Sequence, residues 1–394
     1  MAEIFPGVLP LAKRMESIEP FHVMELLARA RQLEAQGRDV VHMEIGEPDF
    51  DTPQPIIEAG IRALQEGRTH YTPALGLPQL RETIAAFYQQ RFAVAVAPER
   101  IVITPGASGA LLLALGVLVD RDQHVLMADP GYPCNRHFVR FLEGRASSIA
   151  VSSDNNYQLS ADLIDRHWDA ATVAALVASP ANPTGTLVPM TELQAMAGIA
   201  QSHQGALLVD EIYQGLVYDR ESETALACDG NVFVVNSFSK YFCMTGWRLG
   251  WLVVPEDYID AVNRLAQNIF LAASTPAQYA ALAAFQPATL ALLEQRRRAF
   301  QARRDFLLPA VRALGFKVPV NPEGAFYLYA DASGLTNDSY RFACELLDTA
   351  GVAVTPGIDF GSNQAGVHVR FAYTTELDRL RQGVERIAEF LRVA

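Results

Sequence analysis

Hydrophobic residues recur along the chain with two different periods, and the change from one to the other divides it into elements. Val23, Leu26, Leu27, Ala30 and Leu33 fall at helical spacing and stop at Gly37, a residue suited to the left-handed turn that ends a helix. A short apolar run over 40–45 predicts a strand leading into Gly-Glu-Pro-Asp-Phe at 46–50. Thr52 as N-cap, with Pro53 at the first helical position, predicts a helix over 55–66. A loop over 70–81 feeds a further helix with Leu80, Ile84 and Phe87 on one face. Short apolar runs at 101–104, 125–128, 174–178, 207–209, 232–235 and 251–254 then alternate with helical patterns. That alternation predicts a mostly parallel sheet with helices on both faces, whose ligands collect at the carboxyl ends of the strands. Past 285 it stops. A long helix over 288–308, ended by Pro309, leads into a smaller α+β region with a strand at 367–372. The last helix places Leu377, Leu380, Val384, Ile387 and Leu391 on one face, and residues 1–20, without a clean period, read as an arm.

Composition narrows the function. A chain of 394 residues, half of them hydrophobic, is long enough for two domains. A net charge of −12 argues against a nucleic-acid surface, and the densest basic patch (Arg296–Arg298, Arg303, Arg304) falls on the long helix as a solvated or interdomain face. Four scattered cysteines lack metal-ligand spacing, so no metal is expected, and a reduced, cytoplasmic protein fits them better than a disulfide framework. No apolar run reaches membrane-spanning length, and the first residues mix charges where a secretory signal needs an apolar block.

The candidate chemistry centres on 236–251, Asn-Ser-Phe-Ser-Lys-Tyr-Phe-Cys-Met-Thr-Gly-Trp-Arg-Leu-Gly-Trp. Only three residues in the chain are lysines (Lys13, Lys240, Lys317), and Lys240 stands in an apolar, aromatic stretch. Desolvation lowers the pKa of such an amine and makes it a nucleophile toward an aldehyde, a role arginine cannot fill. Asp210 ends an apolar strand, where a carboxylate is costly unless something positive meets it. Arg370 lies inside the apolar run His-Val-Arg-Phe-Ala, which calls for an anion: a structural salt bridge or a bound acid. Gly106, Ala107 and Ser108 open an apolar helix whose free N–H groups suit a phosphate, although a plain glycine turn reads equally well there. The same segment lacks Gly-x-Gly-x-x-Gly, which disfavours a dinucleotide site and a nicotinamide dehydrogenase.

Ser-x-Ser-Lys followed eight residues later by arginine (Ser237, Ser239, Lys240, Arg248) resembles the cofactor-lysine segment of the class I/II aminotransferases, the aspartate aminotransferase superfamily. Asn182-Pro-Thr-Gly, Asp210 with Tyr213, Tyr71 with Gly76, Tyr132 in Asp-Pro-Gly-Tyr-Pro, and Arg370 follow the same family's order, so the likeness covers nearly the full length. The resemblance implies an α/β fold: a mostly parallel seven-stranded sheet with helices on both faces (pyridoxal-phosphate fold type I) plus a smaller α+β domain. It implies an arm at 1–20, a large domain at 46–287 and a small domain from 21–45 and 288–394. The cofactor would be pyridoxal 5′-phosphate, joined to Lys240. Asp210 would face its ring nitrogen, Tyr213 and Asn182 its ring hydroxyl, and Tyr132 would stack on the ring. Arg248, Ser237, Ser239 and the amides of Gly106, Ala107 and Ser108 would hold the phosphate. Tyr71 would reach the phosphate of a neighbouring subunit, which makes the protein a homodimer with shared sites. Arg370, with Gly46 and Asn182 beside it, would receive the substrate carboxylate, and Asn182–Pro183 would be cis.

The activity implied is transfer of an amino group from an L-amino acid to a 2-oxo acid by a ping-pong mechanism. A carbon–sulfur β-lyase of the same fold is the alternative. A transcription regulator carrying a similar domain would need a winged-helix segment, for which the residues ahead of Gly46 leave no room. Phe21, His22 and Val23 fall where the family's N-terminal segment lines the side-chain pocket, with His22 as a packing residue. Without a second cation there, apolar, aromatic or alanine-like substrates are expected over aspartate.

Overall fold

A computed structural model describes residues 11–393. In chain order its strands are β1 (Val41–Met43), β2 (Ile101–Thr104), β3 (His124–Asp129), β4 (Arg145–Ala150), β5 (Thr172–Ala178), β6 (Ala206–Asp210), β7 (Val232–Ser237), β8 (Gly250–Val253), β9 (Tyr327–Asp331), β10 (Val352–Pro356) and β11 (His368–Ala372). β2 to β8 form the larger sheet in the order β2-β8-β7-β6-β5-β3-β4, parallel throughout except for β8, which runs antiparallel to both neighbours. The central strands β6 and β7 are buried at every position, as expected of parallel strands with helices on both faces. A smaller sheet, β1-β10-β11-β9, pairs the segment near residue 42 with residues some three hundred positions further on. The α/β class, the parallel sheet and the smaller α+β part therefore stand as expected.

Several local expectations differ. Edge strand β4, Arg-Ala-Ser-Ser-Ile-Ala, has a single buried position and so carries no apolar run from which a strand could be read. Thr52 does not cap the helix Gln54–Gln65. Its hydroxyl donates to the Cys243 carbonyl (2.8 Å) and accepts from Trp247 Nε1 (3.0 Å), and Pro53 takes the N-cap position. On the helix Pro78–Phe92 the buried aromatic is Tyr88, with Phe87 half-buried. Pro309 does not end the long helix, which runs Pro287–Ala313. A helix-interior proline removes one backbone hydrogen bond, but burial of Leu307, Leu308 and Val311 on either side outweighs that loss. The basic patch on this helix divides: Arg298 is exposed, whereas Arg303 is buried and grips Asp49 through two bonds (2.7 and 2.8 Å), and Arg304 is buried and pairs with Asp219 (2.6 Å).

Of the expected arm, residues 1–10 lie outside the described residues, and Lys13–Ser17 form a single 3₁₀ turn. Among the described residues no helix is long and apolar enough to cross a membrane.

Candidate active site

Asp210 closes β6, Ser237 closes β7, Ala178 closes β5, and Tyr132 follows three residues after the end of β3. These carboxyl ends point into one cavity of about 210 Å³. Lys240 enters it from the turn after β7 and donates from Nζ to the Gly46 carbonyl at 2.5 Å. Burial lowers the pKa of this amine to about 8; Glu47 opposes the shift, and the positive charges of Arg370 and Arg248 add to it. Burial likewise raises the Asp210 carboxyl to about 6, against the pull of the Ile212 amide, which donates to it at 3.1 Å, and of Lys240. A poised amine and a buried carboxyl that has no ion-pair partner among the described residues thus share one cavity.

An anion cradle occupies one end. The helix Gly106–Leu118 has no side-chain cap on its first turn, so its opening amides remain free to meet a negative group. Gly106 has φ +70°, and a Cβ on it would stand 2.7 Å from Arg248 Nη2, so glycine alone lets that guanidinium approach. Arg248, itself left-handed at φ +52°, bonds only the Thr245 carbonyl (3.1 Å) among the described residues. The Ser237 and Ser239 hydroxyls, 3.0 Å apart, complete the cradle. Helix amides, two hydroxyls and a guanidinium are the donor set a phosphate requires.

Arg370 occupies the other end, buried to 2% in the middle of β11. Nη1 donates to Asn182 Oδ1 (2.9 Å), and Nη2 donates to the Glu44 carbonyl (2.5 Å) and the Thr355 hydroxyl (3.0 Å). Its Nε has no partner, and no carboxylate forms an ion pair with the guanidinium among the described residues. The salt-bridge alternative is therefore excluded there, and the charge is left for an acid from outside. Asn182–Pro183 is cis, as are Asp129–Pro130 and Ser179–Pro180.

Tyr327 was not singled out from the sequence, yet it links Tyr213 to Arg370. Its hydroxyl shares a 2.8 Å hydrogen bond with that of Tyr213, and its ring centroid lies 4.2 Å from the Arg370 guanidinium carbon. A Cβ on Gly46 would come within 1.9 Å of the Tyr327 oxygen, which is why residue 46 is glycine. The one available signal was a phenol inside an apolar strand, since a buried tyrosine hydroxyl needs a partner. Phe21 and Val23 line the cavity with Met24, Leu111, Phe138 and Ile212. His22 does not: its Nδ1 meets Glu25 at 3.2 Å and its ring packs on Tyr340. Tyr71 is 83% exposed and stays outside the cavity of its own chain.

Known proteins share this arrangement of sequence and fold. The family described as aminotransferase class I and II matches residues 38–387. A (5-formylfuran-3-yl)methyl phosphate transaminase of Methanocaldococcus jannaschii is 38% identical over 97% of this chain and 99% of its own. A valine–pyruvate aminotransferase of Mycobacterium tuberculosis is 38% identical over 95% and 97%. An aspartate/prephenate aminotransferase of Thermus thermophilus is 36% identical over 97% and 98%. The crystal structure of an aminotransferase from Mycobacterium tuberculosis superposes with a TM-score of 0.95 at 37% identity, covering 98% of this chain and all of the other. Family coverage from residue 38 to 387 and full-length relatives above 30% identity lead to one conclusion: the chain belongs to the class I and II aminotransferases, the pyridoxal-phosphate enzymes of the aspartate aminotransferase superfamily.

Proposed function

We propose that this aminotransferase takes its amino group from apolar, aromatic or alanine-like L-amino acids and passes it to a 2-oxo acid. Its relatives' names span valine, aspartate or prephenate, and a furanyl phosphate, so the substrate has to be argued from the cavity. The carrying observation is the division of labour among its charges. Asp210, Lys240, Arg248 and Arg370 are the charged lining residues, and each has a task at the cofactor or the α-carboxylate. Phe21, Val23, Met24, Leu111, Phe138 and Ile212 offer a side chain only apolar contact, leaving no further cation among the described lining residues for a second carboxylate.

The residues present fit pyridoxal 5′-phosphate. The uncapped helix with Arg248, Ser237 and Ser239 suits its phosphate, and Asp210, whose carboxylate among the described residues is bonded only by an amide, suits a protonated ring nitrogen. Once bound, the cofactor supplies an electron sink for the charge left at the substrate α-carbon. Asp210 would hold the proton at the ring nitrogen. Tyr213, oriented by Tyr327, and Asn182, whose Oδ1 is taken by Arg370, direct donors toward the ring hydroxyl. Tyr132, which lines the cavity, would cover one ring face. Lys240 would hold the cofactor through its aldehyde carbon, and as a free amine it would move a proton at the substrate α-carbon. Arg370 clamps the α-carboxylate with Gly46 alongside.

The large sheet with its helices (46–287) and the small sheet with its own (21–45, 288–394) act as two domains that meet at this cavity, with 11–20 as the described part of an arm. An exposed Tyr71 supports a homodimer in which that residue serves the partner's phosphate. Four free cysteines accord with a reducing cytoplasm. Half-reactions with a panel of amino acids test the substrate choice: leucine, phenylalanine or alanine should convert the bound cofactor faster than aspartate. Aspartate reacting far faster than all three would overturn it.

A further inference from the structure

Two buried carboxylates outside the catalytic set are tied to the same turn. Asp129, the last residue of β3 and 6% exposed, pairs with no cation among the described residues. Its side chain accepts instead from the Ser362 amide and hydroxyl, both at 3.0 Å, and from the Asn363 amide at 3.3 Å. Its main-chain carbonyl accepts from Asn363 Nδ2 at 3.2 Å. The fit leaves no slack: a Cβ on Gly361 would come within 1.8 Å of Asp129 Oδ1. The Gly131 amide, donating to the Phe360 carbonyl at 2.8 Å, fastens the turn a second time.

The other side of that turn presents Asp359, 2% exposed. Its two carboxylate oxygens accept from the His22 amide (3.0 Å) and the Val23 amide (2.9 Å). The helix His22–Ala35 has no cap of its own, since Phe21 stands at its N-cap position. A carboxylate more than three hundred residues away therefore satisfies its first amides and meets its positive end. The capped pair carries the residues that face the substrate: Val23 itself, with Phe21 and Met24 on either side, lines the cavity. Phe360, between the two attachments, lies 4.8 Å from the Arg370 guanidinium.

We propose that Asp129 and Asp359 are positioning residues for substrate specificity: they dock the 357–363 turn between the end of β3 and the first turn of the His22–Ala35 helix, and so hold Phe21, Val23 and Met24 as the wall that meets the substrate side chain. Neither carboxylate touches the reacting atoms. The specificity part rests on the apolar-substrate reading above; the docking part does not.

The test uses the holoenzyme with Asp129→Asn, Asp359→Asn and Asp359→Ala. Asparagine at 129 replaces one accepting oxygen with a donor that opposes the Ser362 and Asn363 amides, without touching the 22–35 helix. Hydrogen exchange should quicken at the amides of 22 and 23 in Asp129→Asn as well as in Asp359→Ala, with the β6–β7 core as protected as in the parent. Asp359→Asn, which keeps one acceptor, should fall between. The kcat/KM for leucine should drop about tenfold more than that for alanine, mostly through KM, because alanine's methyl group does not reach the wall. Equal losses for the two substrates would overturn the specificity role. Unchanged exchange at 22 and 23 in Asp129→Asn would overturn the docking chain. Should the parent enzyme turn over none of leucine, phenylalanine and alanine, the substrate reading fails and the specificity role falls with it, while the exchange data still decide the docking.

Discussion

Burial drives Lys240 and Asp210 toward neutrality from opposite sides, and both shifts can be measured without substrate. The Lys240 amine, lowered from 10.5 to about 8, is neutral over a far larger part of the accessible pH range than a surface lysine. Covalent capture of an added aldehyde at residue 240 in cofactor-free protein should rise with pH, reach half its maximum near 8 and level off about one unit higher. Borohydride trapping followed by peptide mapping reads this out, and a rate still climbing at pH 10 would remove the desolvation argument. Asp210 gives a stability prediction. Its folded pKa, about 6, lies above the ordinary 3.8, so its ionisation costs stability. The cost is absent below about pH 4 and fully present above about pH 6. Asp210→Asn should therefore stabilise the cofactor-free protein at pH 8 by roughly 2–3 kcal/mol, with the gain vanishing as pH falls toward 4. A Tm gain that does not depend on pH would contradict this. Lys240 was legible in the sequence because a lone amine in an apolar run has few purposes. Tyr327 was not, since a tyrosine among Phe326, Leu328 and Tyr329 reads as core.

Among elements, the strand–turn–helix at 101–118 shows how far local pattern reaches. Apolar β2, a glycine and an apolar helix were all readable, and so was a helix start able to meet an anion. That residue 106 must be glycine because Arg248 crosses it depends on a residue 142 positions away. Gly106→Ala meets both a left-handed backbone and that guanidinium, so cofactor affinity should fall by about tenfold or more while the far-UV spectrum stays intact. Equilibrium dialysis against pyridoxal phosphate checks it, and parental affinity would show that the cradle is not where the phosphate sits. The errors at this scale share a cause. Thr52 has a cap's chemistry, but Trp247 and Cys243 claim its hydroxyl. Pro309 has a breaker's chemistry, but the core on both sides of it keeps the helix continuous. In each case a tertiary contact outweighs a local preference of about 1 to 3 kcal/mol.

For the molecule as a whole, Tyr71 poses the open question, and subunit mixing answers it. If Tyr71 serves the partner's site, a hybrid of one Lys240→Ala chain and one Tyr71→Ala chain has one doubly damaged site and one intact site. Mixing the two inactive or weakened homodimers under exchange conditions should then restore activity. If Tyr71 works within its own chain, both sites of the hybrid stay damaged and no recovery occurs. Exposed Ile269 and Leu271 are further apolar groups for such an interface to cover.

The sequence by itself determined the class of fold and the chemistry. Apolar periodicity depends only on neighbours along the chain, and the choice of lysine, aspartate and arginine at apolar positions shows where charge must be met. Tertiary structure alone decided which distant groups meet: the Glu44 carbonyl and Asn182 at Arg370, Tyr327 over Gly46, and Asp359 on the amides of His22 and Val23. The reason is physical. Periodicity records which face of an element is buried, but not which other element covers it, and a hydrogen bond across three hundred residues leaves no mark on either partner's neighbours.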